Sequence, residues 1–118
     1  MSIKRCPAGS QIIYRFGFPS RELTDAERET LEAGLGLPSG TGIDPAVVKV
    51  EYEPNGEAVK TLEAIIRDGP GAYHAIVATP ASDSAVGPWR FRGVGSTSGG
   101  APVAATDDVV VRVTRTFG

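Results

Sequence analysis

The sequence has little of what most catalytic and metal-binding sites need. Its 118 residues include one cysteine, Cys6, and one histidine, His74. A lone cysteine cannot form an internal disulfide, so we expect a reducing compartment. A structural zinc site would need more cysteine or histidine ligands than these two. The motifs of a nucleophile elbow and of a phosphate-binding loop are also absent, and we therefore expect no enzyme and no cofactor.

The sequence also lacks an excess of charge of either sign and a long apolar run. Twelve Lys and Arg face fourteen Asp and Glu, a net charge of −2. Nucleic-acid binders draw most of their affinity from a basic excess, so we expect no nucleic acid as partner. No segment approaches the roughly 20 apolar residues that span a bilayer. The first ten residues, MSIKRCPAGS, lack the apolar core of a secretory signal, and we expect assembly in the cytoplasm.

Glycine and proline, in contrast, are abundant. The fifteen glycines and nine prolines disfavour a helix-rich fold, because each costs roughly 1 to 3 kcal/mol inside a helix. Apolar residues make up 41% of the chain, which is enough for a core. We expect a polar N-terminal arm over residues 1–10 and one domain over 11–118. Segments with β-branched, aromatic or alternating residues predict strands at 11–18, 46–53, 58–66, 72–79, 89–92 and 109–114.

One helix interrupts this pattern, at about residues 24–33. Thr24 and Glu27 have the spacing of a capping box, and Gly34 or Gly36 would end the helix. The predicted fold is thus all-β, an antiparallel sandwich of about seven strands with one short inserted helix. Two glycine-rich segments, 34–42 and 93–102, are predicted to be long flexible loops.

Few side chains are candidates for chemistry. His74 alternates with Tyr73 on a strand, and we interpret it as a surface or partly packed residue. No metal is expected, because the aspartates lack the spacing of an EF-hand and more often initiate turns; they are Asp68, Asp83, Asp107 and Asp108.

The candidate contacts for partner proteins lie in the arm, the helix, the loops and one strand. Trp89 and Phe91 are predicted to face the core, which leaves Arg90 and Arg92 on the outer face of the same strand. These arginines either meet acidic groups of a partner or are solvated. The full set of candidate contacts is Arg5, Arg28, Leu35, Leu37, Arg90, Arg92, Val94 and Val103.

A longer pattern covers about residues 44–115, where an Asp-Pro strand leads into a Pro-x-Gly turn. An Asp-x-x-Gly-x-Tyr turn-and-strand, a Gly-x-Trp strand and a valine-rich strand follow. The matching residues are Asp44, Pro45, Pro54, Gly56, Asp68, Gly71, Tyr73, Gly87 and Trp89. The pattern resembles small immunoglobulin-like proteins encoded in the structural gene modules of tailed bacteriophages and prophages. The capped helix and the extended loop at 93–102 depart from it.

The resemblance implies a non-enzymatic virion structural protein at the head or the head-to-tail neck, as a connector-associated or capsid-decorating subunit. Its partners would be other virion structural proteins and further copies of itself, and its location the virion. An alternative hypothesis is an adhesion or carbohydrate-binding module of a phage fibre or bacterial surface, which would need exposed aromatic rings. A small enzyme that uses His74 is a third hypothesis, without a recognisable nucleophile and base.

Overall fold

The protein is mostly β-strand, as the composition predicts. A computed structural model describes residues 4–38, 40–106 and 108–115. The strands in these ranges are β1 Lys4–Pro7, β2 Gln11–Gly17, β3 Val47–Glu53, β4 Lys60–Leu62, β5 Ile66–Gly69, β6 Ala72–Ala78, β7 Gly87–Ser96, β8 Pro102–Ala105 and β9 Val109–Thr114. One α-helix, α1 Asp25–Glu32, and a short 3₁₀ turn, Asp83–Ala85, complete the described elements.

The strands form two sheets. The larger sheet has the order β1-β9-β7-β3-β4, and β8 also pairs with β7. The smaller sheet has the order β2-β6-β5. Adjacent strands are antiparallel except for β1 and β9, which run parallel. The chain therefore crosses from one sheet to the other several times. Its first described strand, β1, lies beside its last, β9.

A single core joins the sheets, because each presents an apolar face to the other. In β2 the buried residues alternate with more exposed ones, so that Tyr14 and Phe16 point inward. The ring of Tyr14 lies 5.4 Å from that of Phe91 on the larger sheet, measured between centroids. Trp89 and Phe91 are buried, as predicted, and the Trp89 indole N–H donates to the carbonyl of Ala85.

The predicted helix is confirmed at both ends. The Thr24 hydroxyl accepts from the amide of Glu27, and the Glu27 carboxylate accepts from the amide of Thr24, which completes the capping box. At the other end the amides of Gly34 and Leu35 donate to earlier carbonyls of the last turn, with Gly34 at φ +81°. Leu31 lies close to Gly17, so the helix packs beside β2.

The N-terminal segment differs from the predicted arm. Residues 4–7 are the strand β1, which pairs in parallel with β9, while residues 1–3 lie outside the described residues. Cys6 and Ala8 are buried at 8% and 7% exposure. Two inward residues are too few to show a period, and the partner strand is at the far end of the chain. Local pattern therefore did not reveal this strand.

The single strand predicted over 58–66 is wrong. The segment contains β4, which belongs to the larger sheet, and then reaches β5, which belongs to the smaller one. Residues 63–65 carry the chain from one sheet to the other, and only Leu62 and Ile65 pack against the core from this segment. The residues between the strands predicted at 58–66 and 72–79 are also not all a turn, because β5 continues to Gly69.

The glycine-rich segment 93–102 is also not a long loop. Strand β7 continues through Ser96, a tight turn occupies 97–101, and β8 begins at Pro102. The Thr97 amide donates to the carbonyl of Ala101 over 2.9 Å and closes the turn. Gly93 and Gly95 lie within β7. Glycine is required at these two positions because Phe16 and Pro45 occupy the space that a side chain would fill.

Candidate functional site

Strand alternation places four arginines on the outer face of the larger sheet. In β7, Trp89 and Phe91 point inward and the exposed Arg90 and Arg92 point outward. Arg112 occupies the outward position of β9, and Arg5 occupies that of β1. We call this surface, which bears Arg5, Arg112, Arg90 and Arg92, the arginine face.

The arginines of this face are close neighbours. Arg5 is directly opposite Arg112 in the parallel ladder, and Arg90 lies on the next strand, one step diagonal from Arg112. Like charges directly opposite each other on a sheet destabilise it. Within the described chain, Arg5, Arg90 and Arg112 form no ion pair with a carboxylate. Arg5 and Arg112 are thus adjacent cations without an ion-pair partner in the described chain, whereas Arg90 is the ladder partner of Glu53 on β3.

The other half of the face is more balanced in charge. The Arg92 guanidinium lies 2.6 Å from the Glu51 carboxylate, which raises the pKa of Arg92 through this hydrogen bond. A shallow depression of about 160 Å³ lies here, lined by Arg90, Arg92 and the carboxylates of Glu51, Glu53 and Asp108. Ligand pockets usually measure about 300 to 1,000 Å³. At about 160 Å³, the depression on the arginine face is smaller than this range.

The structure brings together four of the predicted partner contacts and separates the others. Arg5, Arg90, Arg92 and Val94 share the arginine face. Exposed candidates elsewhere are Arg28 on α1, Leu35 after it and Val103 on β8.

Leu37, which was predicted as a partner contact, is only 9% exposed, because it packs within the chain. Arg112 was not among the predicted contacts, although its alternation with Val111 and Val113 indicates an outward side chain on this face.

Asp44, from the Asp-Pro motif, connects two loops through hydrogen bonds of its side chain. The Asp44 carboxylate accepts from the Arg67 guanidinium at 3.0 and 3.1 Å, from the Gly71 amide at 2.9 Å and from the Tyr73 hydroxyl at 2.6 Å. These donors hold the pKa of Asp44 well below its usual range. Burial, together with the Asp44 carboxylate, raises the pKa of Tyr73 to about 12. The cluster fastens the segment before β3 to the β5–β6 turn.

The remaining titratable candidates are also engaged in local contacts. His74 is half-buried, with Nδ1 2.6 Å from Oδ1 of Asp68. Asp83 lies 3.4 Å from Arg115, and Asp107 lies outside the described residues. Burial raises the pKa of the Cys6 thiol, which lowers its reactivity. In the ranges that the structure covers, no three His, Cys, Asp or Glu side chains are grouped to hold a metal ion.

Aromatic side chains are directed into the core. Tyr52 is half-buried and stacks on Trp89 and Phe91, with centroids 6.4 and 5.8 Å away. Phe117 lies outside the described residues. The other rings, Tyr14, Phe16, Phe18, Tyr73, Trp89 and Phe91, are buried. Sugar stacking, which the adhesion hypothesis requires, thus has no exposed ring among the residues with assigned positions.

Comparison with known proteins gives no match to any protein family, to any curated protein or to any solved structure. None of the helices in the described ranges is long and apolar enough to cross a membrane. Strand order and surface charge are therefore the features of this chain that bear on its function.

Proposed function

We propose that this chain is an immunoglobulin-like, non-enzymatic structural subunit of a tailed-bacteriophage virion. It belongs at the head or the head-to-tail neck, as a connector-associated or capsid-decorating protein. It works through contacts with other virion proteins and with copies of itself. The observation that carries the proposal is the order of the strands in the two sheets.

Immunoglobulin-like sandwiches place their second, fifth and fourth strands in one sheet and their third, sixth and seventh in the other. Here the smaller sheet has the order β2-β6-β5, and the larger has β9-β7-β3 with the additional strand β4 beside β3. The order agrees if β4 is the extra strand of the variable type and if β8 and β9, which pair with successive parts of β7, together form the last strand. Strand β1 departs from the order of such sandwiches because it pairs with β9 and not with β2. The strand order thus supports the fold that the sequence resemblance implies.

The arginine face supports the assembly role independently of the fold. A fold alone does not define a function, so a role in assembly also needs support from the residues at the surface. Arg5 and Arg112 are held side by side without a carboxylate partner in the described chain, an arrangement that a folded monomer does not need. A partner with acidic side chains would relieve this repulsion on binding.

The test is the protein composition of purified virions from the phage or prophage that encodes the chain. Quantitative mass spectrometry should find the protein in a fixed copy number per particle, and labelled antibodies should locate it at the head or neck. Its absence from intact particles would overturn the proposal. Localisation on a fibre, with glycan binding by the purified protein, would replace it with the adhesion hypothesis.

An Arg5→Glu/Arg112→Glu variant then tests the surface. Its incorporation into particles should fall, while Lys60→Glu, a single charge reversal at an exposed position on the opposite edge of the same sheet, should be incorporated normally. Equal incorporation of both variants would show that the arginine face does not contribute to assembly.

A further inference from the structure

The surface with the opposite charge lies on α1 of the same chain. Asp25, Glu29 and Glu32 are exposed and stand at i, i+4 and i+7, so their side chains share one face of the helix. None of the three forms an ion pair within the described chain. Glu27, in contrast, is paired with Arg21 at 2.7 Å. Arg28, which is exposed three residues after Asp25 and four before Glu32, lies beside these carboxylates, so this side of the helix has three negative charges and one positive charge. We call the three unpaired carboxylates the acidic stripe.

The acidic stripe and the arginine face do not meet within one molecule. The helix packs beside β2 of the smaller sheet through Leu31 and Gly17, whereas the arginines project from the outer face of the larger sheet. No ion pair joins the two sets in the residues that the structure describes. Two complementary surfaces at separate places on one chain can be satisfied together by a second copy.

The dimensions of the two surfaces agree. At 1.5 Å per residue, the seven steps from Asp25 to Glu32 extend about 10 Å along the helix. Arg5 and Arg112 are on adjacent strands about 4.8 Å apart, and the diagonal step from Arg112 to Arg90 adds about 7 Å, so the arginines extend about 12 Å. The three carboxylates and the three guanidinium groups thus extend over similar lengths.

One exposed apolar side chain accompanies the charges on the arginine face. Val110, the ladder partner of Arg90, is 39% exposed there. Leu35 is 77% exposed but lies near Ala26 and Thr30, on another side of α1 from the acidic stripe. The contact is therefore mainly ionic, and its strength should depend on salt.

From these observations we infer that the arginine face of one copy binds the acidic stripe of a second copy. The inference rests on the proposed assembly function for its setting and names the partner of that surface. Because the two surfaces differ, the contact is heterologous, and a bound pair keeps one free arginine face on one copy and one free acidic stripe on the other. Such a contact closes into a ring or continues as a filament, depending on the rotation between copies.

The first test measures the mass of the purified protein by sedimentation velocity over a range of concentrations. At about 0.1 M salt, where charges act over about 10 Å, we expect concentration-dependent association. At about 1 M salt, where they act over about 3 Å, we expect a shift towards the monomer. A monomer at both salt concentrations, or an oligomer that is insensitive to salt, would contradict the inference.

Charge reversal identifies the two surfaces. Arg112→Glu and Glu29→Arg should each weaken association by at least about tenfold, because each places like charges across the contact. The double variant exchanges the two charges and should restore association. Lys60→Glu and Glu57→Arg, the matched controls at an exposed pair elsewhere, should leave it unchanged. Unchanged thermal midpoints would show that every variant folds.

Failure of rescue in the double variant, with both single variants folded, would overturn the inference. The result is separable from that of the proposed function. A protein found in virions but monomeric in solution would keep the virion role and remove the self-contact. A self-associating protein that is absent from virions would do the reverse.

Discussion

The two glycine-rich segments of this chain, 34–42 and 93–102, look alike in composition and fold in opposite ways. In the first, Gly34 and Gly36 adopt φ of +81° and +84°, where the chain leaves α1 and no regular strand follows. In the second, Gly93 and Gly95 are part of the long strand β7. Gly34 and Gly36 thus serve through their backbone freedom, and Gly93 and Gly95 through their lack of a side chain.

This difference shows what glycine content can and cannot indicate. At Gly36 an added Cβ would meet nothing within 4 Å, so only the positive φ requires glycine there. At Gly93 an added Cβ would overlap the ring of Phe16 from the opposite sheet. A tightly packed strand and an open loop can therefore have the same glycine-rich composition.

The largest effect is expected for Gly93→Ala. The methyl group forces the Phe16 ring out of its position in the core, and overpacking of this kind costs about 1 to 3 kcal/mol. Urea unfolding should show the loss as a lower midpoint. Gly99→Ala in the turn, where the nearest atom is a side-chain oxygen 3.9 Å away, is the control and should change little. An equally stable Gly93→Ala variant would contradict the packing reason.

A smaller effect is expected for Gly36→Ala, about 1 kcal/mol, because alanine resists the left-handed backbone conformation. Asparagine tolerates this conformation better than alanine. Gly36→Asn should therefore be more stable than Gly36→Ala, whereas Gly93→Asn should be less stable than Gly93→Ala. Unfolding midpoints of the four variants would show this reversal. If the alanine and asparagine variants ranked in the same order of stability at both positions, Gly36 and Gly93 would not be required for different reasons.

Asp44→Asn tests how the first segment is fastened where it leads into β3. The asparagine keeps the shape but loses the charge that Arg67 and Tyr73 contact. The side chain is 39% exposed, so water screening reduces the loss to about 1 kcal/mol. Asp83→Asn, at an exposed carboxylate, is the control.

The same variant predicts a pH dependence. The native state lowers the pKa of Asp44, so its contribution is complete above the ordinary value near about 4 and is lost as pH falls below it. The difference in unfolding free energy between the wild type and Asp44→Asn should therefore be nearly constant between pH 6 and about 5 and should narrow as pH falls below about 4. A difference that stays constant below about pH 4 would contradict the assignment.

The smallest effect is expected for Glu27→Gln, at the helix that precedes the first segment. The Arg21 guanidinium and the Thr24 amide lower the pKa of Glu27 to about 2. Its stabilising effect is complete above the ordinary value near about 4 and fades as pH falls towards 2. Helix content measured by circular dichroism should decrease slightly in the variant at pH 7 and converge with the wild type at low pH. Glu29→Gln, outside the capping box, is the control.

Local features of the fold could be predicted from the sequence, because local rules govern them. The capping box of Thr24 and Glu27 and the alternation of Trp89 and Phe91 with Arg90 and Arg92 depend on neighbours within a few residues. The crossing from β4 in the larger sheet to β5 in the smaller sheet could not be predicted in this way. It depends on how Leu62 and Ile65 pack against the assembled core.

The candidate site could be predicted only in part for the same reason. Alternation places Arg90, Arg92 and Arg112 on outer faces, but only the pairing of β1 with β9 brings Arg5 beside Arg112. Leu37 was expected at the surface because its segment is glycine-rich, yet it packs within the chain. Distant pairing and burial within a loop leave no periodic signal in a single sequence.

The parallel pairing of β1 with β9 also constrains the order in which the protein can fold. Lys4 pairs with Val111, so nearly the whole described chain must be synthesised before β1 has a partner. During translation Cys6 and Ala8 therefore remain uncovered while the other strands are already able to pair. Completion of the larger sheet is delayed until β9 emerges, and the edge that β1 finally covers is among the last parts of the molecule to become ordered.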